Sequence, residues 1–155
     1  MTEKHNMIVV PFSSEHIDAV TELEKECFST PWSEQALAEE LSNPNARFLT
    51  VLSGEKIAGY LGLYEIAGEC YITNIAVFPE FRRMGAADML LSCAESDALR
   101  RGCVFISLEV RQGNSPAISL YRKNGYELAG TRKNFYSAPT EDAYIMTKFL
   151  RTDLT

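Results

Sequence analysis

The stretch Asn74-Ile75-Ala76-Val77-Phe78-Pro79-Glu80-Phe81-Arg82-Arg83-Met84-Gly85-Ala86-Ala87-Asp88 decides how the rest of the chain is read. An apolar strand runs into a short loop. The loop opens a helix with Leu90, Leu91, Ala94 and Leu99 as its apolar contacts. Backbone N–H groups at a helix N-terminus have no intrahelical partner and carry partial positive charge. A turn of small residues there lets an anion approach the backbone closely, so the junction suits a pyrophosphate. Arg82 and Arg83 add formal charge. The segment has neither the Gly-Lys-Ser/Thr ending of a P-loop nor Gly-x-Gly-x-x-Gly. Taken alone, Arg-x-x-Gly-x-Ala also fits an ordinary helix start with surface arginines.

Upstream, strands are expected at 47–52, 56–65 and 70–77, separated at hairpin length by Ser53-Gly54-Glu55 and Ala67-Gly68-Glu69. A short strand at 7–10, ended by Pro11, precedes them. Ser13 or Ser14 then caps a helix carrying Ile17, Val20, Leu23 and Cys27. A second helix starts at Ser33, has Leu37 and Leu41 one turn apart, and stops at Asn43-Pro44. Downstream, a helix over 86–100 closes at Gly102, and 103–110 reads as a buried strand. Ser115 is the expected N-cap, with Pro116 in the first position, of a helix over 117–124 that ends at Gly125. Strands near 126–131 and 143–149 finish the chain. The order β-α-α-β-β-β-α-β-α-β-β predicts a mixed α/β fold, a single domain over 1–155.

Composition bounds the function. The chain has 155 residues, 46% hydrophobic and 23% charged, enough for a real core and unlike a disordered chain. No apolar run is long enough to span a bilayer, and the polar start lacks the apolar core of a signal peptide. A soluble cytoplasmic protein with no membrane partner is expected. The net charge of -6 argues against direct nucleic-acid binding and is compatible with a basic peptide partner. Cys27, Cys70, Cys93 and Cys103 form no C-x-x-C pair, and the only histidines are His5 and His16. No metal site or disulfide framework is expected, and core packing is the favoured reading of all four thiols.

A second stretch carries acid–base chemistry: Leu108-Glu109-Val110-Arg111-Gln112-Gly113-Asn114-Ser115-Pro116-Ala117-Ile118-Ser119-Leu120-Tyr121. Glu109 interrupts an apolar strand, and a buried unpaired carboxylate is costly. A strand-end glutamate in solvent, or one paired with Arg111, would look the same as a general base favoured by partial desolvation. Tyr121 on the following helix is either a packing aromatic or a proton donor directed at the strand end. Trp32 and Phe135-Tyr136 are candidates for the walls of a peptide groove, with core packing an equal reading for Trp32.

Together these residues resemble the GNAT (Gcn5-related N-acetyltransferase) superfamily. Arg82, Gly85 and Ala87 fill the fixed positions of its motif Q/R-x-x-G-x-G/A. The run from Leu108-Glu109-Val110-Arg111 through Asn114 to Leu120-Tyr121 is similar to RimI-like acetyltransferases of bacterial ribosomal protein S18. So are Phe28-Ser29-Thr30-Pro31-Trp32-Ser33, Arg132-Lys133-Asn134-Phe135-Tyr136 and Glu141-Asp142-Ala143-Tyr144-Ile145-Met146. The resemblance implies a central, mostly antiparallel twisted sheet flanked by helices, and acetyl-CoA as co-substrate with no metal. It implies that the amides of Arg83, Met84, Gly85, Ala86, Ala87 and Asp88 hold pyrophosphate. Ile75, Ala76 and Val77 would then line the acetyl-pantetheine arm, Asn114 would contact coenzyme A, Glu109 would be the base and Tyr121 the acid. The acceptor implied is a protein N-terminus of a ribosomal protein; Trp32 and Tyr136, read above as groove walls, are the candidates to bind it. Asp88 departs from the pattern, because a carboxylate opposes pyrophosphate unless it turns away or complements the helix terminus. An α-amine, with a pKa of about 7.7–8.0 against about 10.4 for lysine, needs less help to lose its proton. Acetylation of lysines, polyamines or other small amines remains an alternative reading, as does a non-catalytic acyl-CoA-binding domain. The oligomeric state is left open.

Overall fold

The computed structural model describes residues 6–150; the polar start read above and the last five residues lie outside them. Seven strands form one sheet: β1 (Met7–Pro11), β2 (Leu49–Ser53), β3 (Lys56–Ile66), β4 (Glu69–Val77), β5 (Phe105–Arg111), β6 (Glu127–Tyr136) and β7 (Glu141–Phe149). Their order across the sheet is β1-β2-β3-β4-β5-β7-β6. Every neighbouring pair is antiparallel except β4 and β5, which run parallel. A parallel pair needs a long crossover, and α3 (Ala86–Arg100) supplies it. The other helices are α1 (Ile17–Cys27), α2 (Glu34–Glu40) and α4 (Ser115–Lys123). The expected mixed α/β order is borne out. Among the described residues, no helix is long and apolar enough to cross a membrane.

The sheet has a core on each face. Leu90, Leu91, Ala94 and Ala98 of α3 pack with Val51, Leu61, Leu63, Ile106 and Met146, and α4 joins them through Tyr121. Under α1 and α2, Val20, Leu23 and Leu37 pack with Phe12, Phe48, Tyr60 and Ala76. Burying each large apolar side chain contributes about 1.5–3 kcal/mol before entropy is counted.

The site is created by the way β4 parts from β5. Their ladder covers only Glu69–Ile72 against Phe105–Leu108. At that point β4 carries an extra residue relative to β3: Gly62 pairs Asn74 while Leu63 pairs Ile72, leaving Thr73 as a bulge. A bulge bends its strand. The rest of β4 stays with β3, so β4 and β5 splay apart beyond Ile72 and Leu108. Gly62 is required here, because a Cβ would sit 2.7 Å from Thr73 Oγ1 and 2.9 Å from the Phe48 ring.

Several local expectations shift. Asn114, not Ser115, caps α4 by accepting from the Ala117 N–H at 3.2 Å. Ser13 caps a 3-10 turn, Ser14–His16, that leads into α1. The strand β6 extends five residues past the expected end, with a register shift between Arg132 and Tyr136 and Asn134 in left-handed conformation. Leu41 is exposed just beyond α2. Cys70 and Cys103 are buried as expected, but Cys27 and Cys93 are only half-buried.

Candidate active site

The splay opens a cleft of about 930 Å³. One side of it is the turn between β4 and α3. Arg83 and Gly85 both adopt left-handed conformations, at φ 64° and 87°. Among the described residues, none of the amides of 83–88 donates to another backbone group. Successive free N–H groups in such a turn, at a helix N-terminus, form an anion-binding concavity. Arg82 does not serve there as a free charge. Its Nε donates to the Val77 carbonyl at 3.0 Å and its Nη2 reaches Cys27 Sγ at 3.6 Å, so it braces the turn against α1. Asp88 turns toward α4, where its carboxylate accepts from Asn124 Nδ2 at 2.9 Å and Lys123 Nζ at 3.2 Å. The side-chain charge that would oppose a pyrophosphate is therefore neutralised by a neighbour.

At the apex stands Glu109, the first β5 residue beyond the parallel ladder. Its side chain is 31% exposed and pairs with Arg132 Nε at 3.0 Å. Arg111, one of its expected partners, is engaged with Glu141 instead, at 3.2 Å. Tyr121 faces the same cleft from α4 and is 5% exposed. Burial, with the nearby Tyr136 adding to it, pushes the Tyr121 phenol well above its ordinary value, so it stays protonated. Burial and then the Glu109 charge push Tyr136 up to about 12.

The other side is bounded by the turn after α1 and by Tyr136 of the β6–β7 hairpin. The turn is anchored by Glu24, which is fully buried in the last turn of α1. A carboxylate near a helix C-terminus opposes the macrodipole. Three donors offset this: the Trp32 N–H at 2.9 Å, the Tyr60 hydroxyl and Asn74 Nδ2. Burial, with Glu24 adding to it, holds the Tyr60 phenol protonated. Trp32 packs at a tilt against Phe48, ring centroids 5.9 Å apart, and also lines the cleft. Tyr136 lines the cleft, but its neighbour Phe135 points out of it and lies under Arg132. The left-handed Asn134 and the register shift break the strand alternation here, and the Phe135 ring meets Tyr136 edge-on at 5.0 Å. Cys27 also lines the cleft, and burial raises its thiol, which disfavours a nucleophilic thiolate.

The fold thus brings the site residues singled out in the sequence to one cleft except Met84 and Phe135, whose side chains are exposed outside the lining. Sequence reasoning missed Glu24, Asn74 and Arg132. Apart from the Trp32 N–H, eight positions from Glu24, their side-chain partners lie 23 to 50 positions away (132 − 109 = 23 for Arg132), and no local pattern marks such pairs. At the opposite end of β4 and β5, Glu65, Cys70 and Cys103 bring ligand-type atoms within 4.8 Å of one another. Glu65 is already shared between Arg47 and Arg101.

The acetyltransferase (GNAT) family model matches residues 17–126. This chain belongs to the GNAT family. It is an acetyl-CoA-dependent N-acetyltransferase by that membership. A Bacillus subtilis (strain 168) relative, named provisionally as a ribosomal protein bS18-alanine N-acetyltransferase, is 40% identical over 85% of this chain and 88% of its own length. The Salmonella typhimurium ribosomal protein bS18-alanine N-acetyltransferase is 33% identical over 86% of this chain and 91% of its own. The crystal structure of the Escherichia coli ribosomal-protein-S18-alanine N-acetyltransferase superposes with a TM-score of 0.86 at 27% identity, covering 94% of this GNAT chain and 95% of that one.

Proposed function

We propose that this GNAT enzyme transfers the acetyl group of acetyl-CoA to a protein N-terminal α-amine in the cytoplasm, the N-terminal alanine of ribosomal protein S18. One observation carries the chemistry: Glu109 stands at the apex of the splay, between an anion-suited helix start and a groove bounded by Trp32 and Tyr136. The relatives' names supply the acceptor.

The amides of 83–88 hold the pyrophosphate of coenzyme A. The edge of Ile75, Ala76 and Val77, left open where β5 departs, offers strand-like partners to the amides of the pantetheine arm. The thioester then lies at the apex. Glu109 takes a proton from the α-amine, directly or through a water. The amine nitrogen attacks the thioester carbonyl carbon, the C–S bond breaks, and Tyr121 gives its proton to the departing thiolate. Amide and thiol are the products, and no enzyme-bound acyl group forms. The Glu109–Arg132 pair is partly exposed and worth about 0–1 kcal/mol, so an incoming amino terminus displaces it readily.

A thiol-release assay tests this reading. It compares a peptide copying a mature S18 N-terminus, the same peptide N-blocked, and an N-blocked lysine peptide, with wild type and Glu109→Gln. Turnover of the free N-terminus alone, lost in the variant, is expected. Turnover only on lysine would reassign the acceptor, and coenzyme A binding without any turnover would make the chain a binding domain.

A further inference from the structure

The turn 28–33 lines one side of the acceptor groove and Tyr136, at the end of β6 beside the hairpin tip 137–140, lines another; no backbone hydrogen bond joins the turn to the tip among the described residues. One side chain does. Arg111, the last residue of β5, donates from Nη1 to the Pro139 carbonyl at 2.9 Å and to Glu141 Oε1 at 3.2 Å. From Nη2 it donates to the Ser137 carbonyl at 3.0 Å and to Ser29 Oγ at 3.4 Å. Its guanidinium also lies over the Tyr136 ring, 4.4 Å from the centroid. Glu141 is fixed in turn, because its Oε2 accepts from the Gly113 N–H at 2.6 Å.

We infer that Arg111 is a positioning residue for the acceptor: it clasps the two walls of the groove together and sets the face that Tyr136 presents to it. This rests on the reading of the cleft as a peptide N-terminus site. A planar fork with several fixed donors meets four acceptors and stacks on an aromatic ring at the same time. A lysine ammonium has three donors on a flexible stem and cannot reproduce that arrangement. The clasp holds the groove at a width set by one side chain, which suits an extended chain terminus entering between the walls.

The test uses Arg111→Ala and Arg111→Lys with two independent readouts. Steady-state kinetics should show the KM for a free N-terminus peptide raised about tenfold or more, the loss expected when charge-assisted hydrogen bonds go. The KM for acetyl-CoA should stay within twofold, kcat should fall less than the peptide KM rises, and lysine should not rescue. Hydrogen exchange should speed up at 29–33 and 137–141 together. An unchanged peptide KM, or faster exchange in the hairpin alone, would overturn the clasp. So would equal losses in both KM values that track a lowered Tm, since that is the mark of a general structural defect. If wild type acetylates no free N-terminus, the acceptor reading fails on its own. Exchange then decides the clasp: coupled loosening of both walls supports it, and loosening of neither overturns it.

Discussion

The two sides of the cleft are built in different ways. The proposed donor side is one contiguous run, 75–88, and offers the main-chain amides of a left-handed turn. The acceptor side is assembled from side chains far apart in sequence: Arg111 to Ser29 spans 82 positions and Asn74 to Glu24 spans 50. A site made of contiguous backbone tolerates most side-chain changes on it. A site made of distant side chains fails when one of them is lost. Substitutions should therefore sort by side, with the catalytic pair standing apart from both.

The largest effect belongs to the apex. Glu109→Gln should lower kcat by about 10²–10⁴-fold, the usual worth of a positioned base, with both KM values little changed. Tyr121→Phe should lower kcat by about 10²-fold. For wild type, kcat/KM should climb with pH as the α-amine loses its proton near about 7.7–8.0. It should not fall again by about pH 9.5, because burial holds the Tyr121 proton above the ordinary tyrosine value of about 10. A descending limb near pH 8.5 that disappears in Tyr121→Phe would show that the phenol is not so protected. A loss appearing mainly in the KM for acetyl-CoA would break the separation of apex from donor side.

Glu24→Ala comes next and acts through the acceptor side. It leaves the buried Tyr60 hydroxyl and the Trp32 N–H without their acceptor. Stability should drop by about 3 kcal/mol, a Tm loss of about 6–12 °C. In the folded fraction the peptide KM should rise while the KM for acetyl-CoA holds. Gly85→Ala probes the other side with a smaller effect. A Cβ at Gly85 meets nothing within 4 Å, so the cost is only that of a left-handed backbone, about 1–2 kcal/mol. That cost falls on the turn that presents the amides. The KM for acetyl-CoA should rise several-fold and the peptide KM should not; a reversed pattern would merge the two sides.

The same contrast explains what was legible in the sequence. The bounds of α3 are read to the residue, because a glycine-bearing turn starts it and Gly102 stops it, although Leu99 of the expected apolar stripe is exposed and Ala98 takes the core position. The catalytic candidates were visible because a carboxylate in an apolar strand is locally anomalous. Glu24 was not, because in Thr21-Glu22-Leu23-Glu24-Lys25-Glu26 it looks like one more exposed helix carboxylate. Only the packing of α1 on β3 and β4 reveals that it is fully buried and held by three donors. The end of β6 was missed for a related reason. Arg132 to Tyr136 is polar and largely exposed, and tertiary pairing with β7, not an apolar alternation, makes it a strand.

The smallest expected effect is the sharpest check on the donor side. Judged by charge alone, Asp88 sits in the first turn of α3 and should repel a pyrophosphate, so Asp88→Asn should tighten coenzyme A binding. In the fold its carboxylate is turned to Lys123 and Asn124. That pair is largely exposed, and its loss should change stability by less than about 1 kcal/mol. The substitution also frees the Lys123 ammonium, which lines the same cleft. Asp88→Asn should therefore leave the KM for acetyl-CoA within about twofold, shifted downward if at all, and that small shift should vanish at high salt as exposed charges are screened. A tenfold tightening would mean that the carboxylate faces the phosphates after all, and that side-chain charge, not main-chain amides, limits the donor side.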